Sequence, residues 1–194
     1  THPYYIRGRT SVSVQYSDSG VIHGVGDSTS ISVREGDGQI IWENDRAHAK
    51  PVGRSVGTAI SMVPRSNALI SGGVDGMVKA WDLQNGKLKK VIKSDGPAIA
   101  SVAVSNNSQR IAVGDQSGKV FIWDLESYRE LRSIETNSGV INGLAFTRED
   151  KFLVSAGNDG LVKIWDISSG ALHRTLEGYD DPLMSVAVSM DGRL

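Results

Sequence analysis

The 194-residue chain has no cysteine, few aromatic residues and almost no excess of charge. Without cysteine, disulfides, thiolate metal sites and a cysteine nucleophile are excluded. The formal net charge of −1 provides no basic footprint for nucleic acid or an anionic membrane surface. No apolar run approaches the roughly 20 residues of a membrane-spanning helix, and residues 1–10 show no signal peptide. We therefore expect a globular intracellular protein, located in the cytoplasm, that binds neither nucleic acid nor membrane.

Glycine is abundant instead, with 22 residues spread among β-branched residues, a composition that favours short strands joined by tight turns. The chain also repeats itself, because Trp81, Trp123 and Trp165 follow one another at a spacing of 42 residues. Each is followed by aspartate, at Asp82, Asp124 and Asp166. No insertion or deletion interrupts this register between about residues 56 and 170, so the chain is built from repeated structural units.

Each repeat is predicted to form four short strands and no helix. In the last complete copy the strands are expected at 140–146, 152–156, 161–166 and 171–177, separated by turn sequences such as Asn158-Asp159-Gly160. A more degenerate copy precedes the three regular ones. The predicted units are therefore 11–44, 56–93, 98–135 and 140–177, with partial units at 1–9 and 179–194.

Three segments, "SGGVDGMVKAWD", "VGDQSGKVFIWD" and "SAGNDGLVKIWD", resemble the repeats of the WD40 family, whose period is roughly 40–45 residues. The resemblance implies an all-β propeller in which each four-stranded antiparallel sheet is one blade, with residues 1–194 forming one propeller segment. Propellers of this family usually close with more than four blades. We expect blades outside this sequence to complete the ring, the alternative being that two chains close one ring.

In this family a histidine bonds the turn aspartate, a strand serine and the tryptophan of one blade. The residues that match this pattern in the 56–93 blade are His48, Ser71, Asp75 and Trp81. The last blade has Ser155, Asp159 and Trp165 but no histidine before its first strand, and the 98–135 blade keeps only Trp123. The resemblance therefore implies incomplete internal bonding. A threefold repeat also favours architecture over ligand binding, so we interpret the Trp-Asp pairs as packing and turn residues.

No motif points to catalysis, a cofactor or a metal. "GDQSGKV" (114–120) resembles a phosphate-binding loop, but it is one residue short and precedes a strand rather than a helix. The four histidines share no metal-ligand spacing, and no serine lies in a Gly-x-Ser-x-Gly elbow. We expect no catalytic, cofactor-binding or metal-binding residues.

The loops are the more promising surface. By resemblance, one rim of the propeller carries the turns before each third strand and the connections between blades. The candidate partner-binding residues on it are Val74, Gln116, Asn158, Asp95, Asn137, Tyr179, Asp180 and Asp181. An insertion at 44–54 belongs to the same rim. Partner contacts are common on such loops, and a solvated loop without a partner is the alternative interpretation.

The sequence thus predicts a non-catalytic scaffold for protein–protein interactions, as a subunit of a multiprotein assembly. A ubiquitin-ligase substrate receptor is one alternative, although such relatives often carry arginine where this chain has Gln84, Glu126 and Ser168. A structural component of a ciliary or coat complex is another. A propeller enzyme is the least favoured, since only "GDGQIIWEN" (36–44) is similar to quinoprotein-type blades.

Overall fold

The computed structural model describes residues 11–17, 20–26, 30–35, 39–45, 47–48, 58–93, 96–177 and 180–189, with side chains from residue 30 onward. Within these ranges the chain forms strands and turns without a helix. None of the described residues therefore belongs to a helix long and apolar enough to cross a membrane.

The strands group into four blades that follow the sequence repeats. The first blade contains β1 (Ser11–Ser17), β2 (Gly20–Gly26), β3 (Ile31–Glu35) and β4 (Ile40–Asn44). The second contains β5 (Ala59–Met62), β6 (Ala68–Gly72), β7 (Val78–Asp82) and β8 (Leu88–Lys93). The third contains β9 (Ile99–Val104), β10 (Arg110–Asp115), β11 (Lys119–Asp124) and β12 (Glu130–Glu135). The fourth contains β13 (Ile141–Phe146), β14 (Phe152–Gly157), β15 (Val162–Asp166) and β16 (Leu172–Leu176).

In every blade the strands pair with their sequence neighbours in antiparallel order, as tight turns require. The turn glycines Gly76, Gly118 and Gly160 have φ angles of 72°, 90° and 72°, the region that glycine enters without steric cost. The first strands of successive blades, β1, β5, β9 and β13, lie beside one another. The predicted all-β propeller fold is thereby confirmed.

The core lies between the blades, and each repeated tryptophan contributes to the layer shared with the blade before it. Trp81 belongs to a cluster with Ile31 and Val33 of the first blade. Trp123 clusters with second-blade residues such as Ile70 and Val78, and Trp165 clusters with third-blade residues such as Ala112 and Ile122. All three rings are buried, so they join neighbouring sheets that no backbone ladder connects.

The two predicted partial units differ in what the structure describes of them. Residues 1–9 lie outside the described residues. Residues 182–189 run beside the fourth blade, where the Leu183 amide donates to the Gly157 carbonyl at 3.1 Å, as the Ile99 amide donates to Gly73 at 2.9 Å. Residues 182–189 thus start where the first strand of a following blade would start, and within the described residues they are not part of a strand.

Candidate interaction rim and its supporting frames

The second blade contains a continuous chain of hydrogen bonds through four side chains. The Trp81 indole N–H donates to Ser71 Oγ at 2.8 Å, and Ser71 Oγ lies 2.8 Å from His48 Nε2. His48 Nδ1 lies 2.8 Å from Asp75 Oδ1. Since the Asp75 carboxylate can only accept, Nδ1 of the neutral ring carries the proton; Nε2 therefore accepts from the Ser71 hydroxyl, whose oxygen accepts from the indole. The structure thus brings together the four residues that the family resemblance indicated.

This frame keeps His48 neutral. Burial lowers the pKa of His48, and the hydrogen bond and charge of Asp75 only partly oppose that shift, while Lys79 lowers it further. Lys79 Nζ lies 3.6 Å from the second oxygen of Asp75 and also donates to the Ala47 carbonyl. The ring therefore links the turn at Asp75 to the chain segment that carries His48, without a buried charge on the imidazole.

The connection before the fourth blade has no histidine, and a lysine takes over the role of His48. Lys163, only 8% exposed, donates to Asp159 Oδ2 at 2.7 Å, to Ser138 Oγ at 2.9 Å and to the Thr136 carbonyl at 2.8 Å. All three ammonium protons are thereby used. The Trp165 indole still donates to Ser155 Oγ at 2.9 Å. The incomplete bonding expected for this blade is thus filled by a residue that the sequence reasoning did not select.

The pKa of Asp159 reflects this arrangement. Burial opposes ionisation of the Asp159 carboxyl, but hydrogen bonds from Lys163 and from the Leu161 amide outweigh that effect and lower its pKa. Lys79 stands at the same repeat position as Lys163. In both blades the lysine follows the turn aspartate by four residues, and the two side chains lie close together. This repeated spacing of aspartate and lysine is the sequence feature that could have predicted the role of Lys163.

The third blade uses a third solution. Val113 and Ser117 stand where the other blades have serine and aspartate, and Asp115 is buried in place of a glycine. Asp115 Oδ1 accepts hydrogen bonds from the Ser117 amide at 2.9 Å, the Ser117 hydroxyl at 2.7 Å and the Lys119 amide at 3.0 Å. In the third blade the turn is therefore stabilised by the carboxylate of Asp115, from the same blade. In the second blade it is stabilised by the imidazole of His48, from the connection that precedes the blade.

The choice between histidine and aspartate is steric. A Cβ atom on Gly73 would lie 2.2 Å from two ring atoms of His48, so glycine is required where the histidine is present. In the third blade no histidine fills that space, and Asp115 stands at the position equivalent to Gly73. In the fourth blade Gly157 is retained, and a Cβ atom there would lie 2.9 Å from that of Ser138.

The aspartates of the Trp-Asp pairs hold the turns at the opposite ends of the blades. Asp82 Oδ1 accepts from the Gln84 and Asn85 amides at 3.0 and 3.2 Å. Asp124 accepts from the Ser127 amide at 2.8 Å. The Ser168 hydroxyl and the amide and hydroxyl of Ser169 donate to Asp166 and lower its pKa to about 2. These are turn-stabilising bonds of the Asx type, and they leave these carboxylates committed within the fold.

The rim residues lie outside these frames. Val74 is half-buried, while Gln116 and Asn158 are exposed at the same position of the equivalent turns. The turns touch the connections between blades, because a Cβ atom on Gly118 would lie 2.8 Å from the Gly139 carbonyl oxygen. The backbone is fixed there as well, since the Gln116 amide donates to the Ala98 carbonyl at 3.0 Å.

The remaining rim candidates are only partly described. Asn137 is exposed with a φ angle of 55°, and Asp180 and Asp181 are exposed. Asp95 and Tyr179 lie outside the described residues, as does most of the insertion at 44–54. Asn142 Nδ2 joins the Asn158 side-chain oxygen at 2.8 Å to the Leu183 carbonyl at 2.9 Å, a contact that the sequence did not indicate. In the described part of the chain, no three histidine, aspartate or glutamate residues form a metal-binding group.

A comparison with known families agrees with the propeller fold. The profile of the family described as nucleolar protein 10-like, N-terminal domain, matches residues 44–192. The chain belongs to this family. The matched domain is a β-propeller, and the match spans the second, third and fourth blades with all three frames. No curated protein matches the chain.

Proposed function

We propose that this propeller is a non-catalytic scaffold that binds other proteins through its rim, as a subunit of a multiprotein assembly. The observation that carries the proposal is that each turn contains side chains bonded within the fold next to a side chain that is not needed for those bonds. The polar side chains that could perform chemistry, such as His48, Asp75, Asp159 and Lys163, are committed to bonds inside the fold. At the turn position just before the secured residue, the side chain varies between repeats, and Gln116 and Asn158 there face solvent.

The rim suits recognition because its side chains differ while its backbone is held. Val74, Gln116 and Asn158 present an aliphatic side chain and two amides from three equivalent turns. Each is adjacent to a residue whose side chain fixes its turn. A preorganised surface loses less conformational entropy on binding, so more of its contact energy becomes affinity. Loops displayed on a rigid β scaffold are a frequent location for partner contacts.

The family description favours one class of assembly over another. It names a nucleolar protein, which supports a subunit of a nucleolar assembly rather than of a ciliary or coat complex. By the same reasoning we propose an intracellular location, in the nucleolus rather than in the cytoplasm. Fluorescence microscopy of the tagged protein tests this directly, and exclusion of the signal from nucleoli would contradict it.

The chain offers a matched pair of glutamines for testing the rim. Gln116 is exposed in the turn between β10 and β11, and Gln84 is exposed in the turn after β7, at the opposite end of a blade. We expect Gln116→Arg to remove partners in an affinity purification from the native source with quantitative mass spectrometry, while Gln84→Arg retains them. Retention of every partner by Gln116→Arg, or steady turnover of a substrate by the purified protein, would overturn the proposal.

A further inference from the structure

Strand β8 forms the outer edge of the second blade, and it exposes two large apolar side chains beside its lysines. In the sheet order β5-β6-β7-β8 its strand neighbour is β7, which leaves the opposite side of β8 unpaired within the described chain. Residues 88–91 are all exposed, with Leu88 at 49% and Val91 at 38%. An exposed edge that also presents large apolar side chains is a template for another strand.

The charge of β8 distinguishes it from the outer strands of the other blades. The segment 87–93 carries Lys87, Lys89, Lys90 and Lys93 without an acidic residue. In contrast, β4 carries one glutamate, β12 carries two glutamates and one arginine, and β16 carries one arginine. Because the whole chain has a net charge of −1, this concentration of positive charge is a local feature of one edge.

Two of these lysines are used by the fold and two are not. Lys89 Nζ lies 3.3 Å from Asp82 and donates to the Asn67 carbonyl at 2.8 Å. Lys93 Nζ lies 4.2 Å above the ring of Phe121. In the described part of the chain the ammonium groups of Lys87 and Lys90 have no such partner. Their charges therefore remain unbalanced on both sides of the exposed Leu88.

An unbalanced row of lysines selects between possible partners of an open edge. A second copy of β8 would place like charges opposite one another, which disfavours self-pairing. A strand bearing carboxylates would form opposite-charge pairs with Lys87 and Lys90 while its backbone completes the open ladder. Apolar residues of that strand would cover Leu88 and Val91. The lysines therefore disfavour pairing of β8 with a second copy of itself and favour pairing with an acidic strand.

We propose that β8 binds a short, extended, acidic segment of a partner protein by strand addition. Irregularities in the β7–β8 register, at Val78/Lys79 and at Ala80/Trp81, limit the regular edge to a few residues, so the bound segment is short. The exposed aliphatic side chains between the lysines favour a peptide over a nucleic acid, for which aromatic stacking side chains would be expected. The proposal rests on the scaffold function in requiring a protein partner, but its surface is separate from the rim at Gln116.

The test uses a synthetic seven-residue peptide of alternating glutamate and valine, titrated into the isotope-labelled 194-residue chain and followed by NMR. We expect saturable shifts confined to the amides of residues 87–93. The double variant Lys87→Glu/Lys90→Glu should weaken binding by at least about tenfold. The control Arg148→Glu/Lys151→Glu, which changes the charge equally at exposed residues of the fourth blade, should change it less than about twofold.

Two further ligands test the mode of binding without altering the protein. The same peptide with every backbone nitrogen methylated cannot donate backbone hydrogen bonds and should bind at least about tenfold more weakly. Single-stranded oligothymidine should bind more weakly than the peptide. Tighter binding of oligothymidine at β8, equal binding of the methylated peptide, shifts outside 87–93, or no binding would each overturn the proposal. The Gln116→Arg purification is independent of these outcomes, so failure here leaves the rim intact, and failure there leaves β8 intact.

Discussion

The buried lysine of the fourth blade allows a quantitative test of the frame. In Lys163→Met the apolar stem is nearly preserved, but Asp159, Ser138 and the Thr136 carbonyl lose their common donor. Removing one partner of a buried ion pair typically costs about 3–5 kcal/mol. The Lys163 and Asp159 side chains are 10% and 19% exposed, so water compensates part of this loss. We therefore expect the free energy of unfolding to fall by about 2–3 kcal/mol.

Urea denaturation monitored by tryptophan fluorescence measures this change, since Trp165 lies in the same blade. The control is Lys87→Met, an exposed lysine without a side-chain partner among the described residues, which should stay within about 0.5 kcal/mol of the parent. Adding Asp159→Asn to Lys163→Met removes the unpaired carboxylate and should restore about 1 kcal/mol. If Lys163→Met costs no more than Lys87→Met, the lysine does not perform the role of the missing histidine.

Three other outcomes follow from the frames and the core. The pKa of His48 is lowered in the folded state, so below the ordinary histidine pKa of about 6.5 the unfolded chain binds more protons than the folded chain. The free energy of unfolding should therefore decrease as the pH is lowered from about 6.5. Denaturation at pH 7.5 and 5.5 should show a smaller decrease for His48→Gln than for the parent. Trp165→Ala should cost about 3–5 kcal/mol, and an unchanged thermal melt would refute its packing role. Gly73→Ala should lower the free energy of unfolding by about 1–3 kcal/mol because its Cβ atom would overlap the His48 ring. In a His48→Ala background, where that ring is absent, the same substitution should cost much less, as calorimetry can measure.

The sequence determined the fold to a useful precision because the repeat is strict. A spacing of 42 residues, carried by three tryptophans, identified each blade, and alternation within a copy located its strands. The third strand of the last blade, expected at 161–166, spans Val162–Asp166. Turn sequences that tolerate positive φ separate the strands, so the turn residues and the repeat spacing indicated the same strand boundaries.

The frames could be predicted only where one blade repeated the family pattern. His48 was selected because it precedes the correct blade, and its distances to Ser71 and Asp75 are both 2.8 Å. Lys163 escaped notice because its strand position alternates with apolar residues, and a lysine there is normally assigned to solvent. Its burial depends on carbonyl and hydroxyl groups of the connection at 136–138, which are distant in sequence and near only after folding. Asp115 was missed because it stands where the two neighbouring blades have glycine, although its partners Ser117 and Lys119 are near in sequence.

The three frames explain how the rim can vary without loss of the turn. Each variable residue precedes the turn position that the frame secures, but the securing group differs: an imidazole for Val74, an internal carboxylate for Gln116 and an ammonium for Asn158. These groups act on the turn from beneath, so the turns themselves do not depend on the rim side chains, although the Asn158 oxygen also accepts a hydrogen bond from Asn142. Substitution of the exposed Gln116 should therefore cost little stability, whereas substitution of the neighbouring Asp115 should cost more. A recognition surface can diverge between blades under those conditions while the blades themselves remain alike.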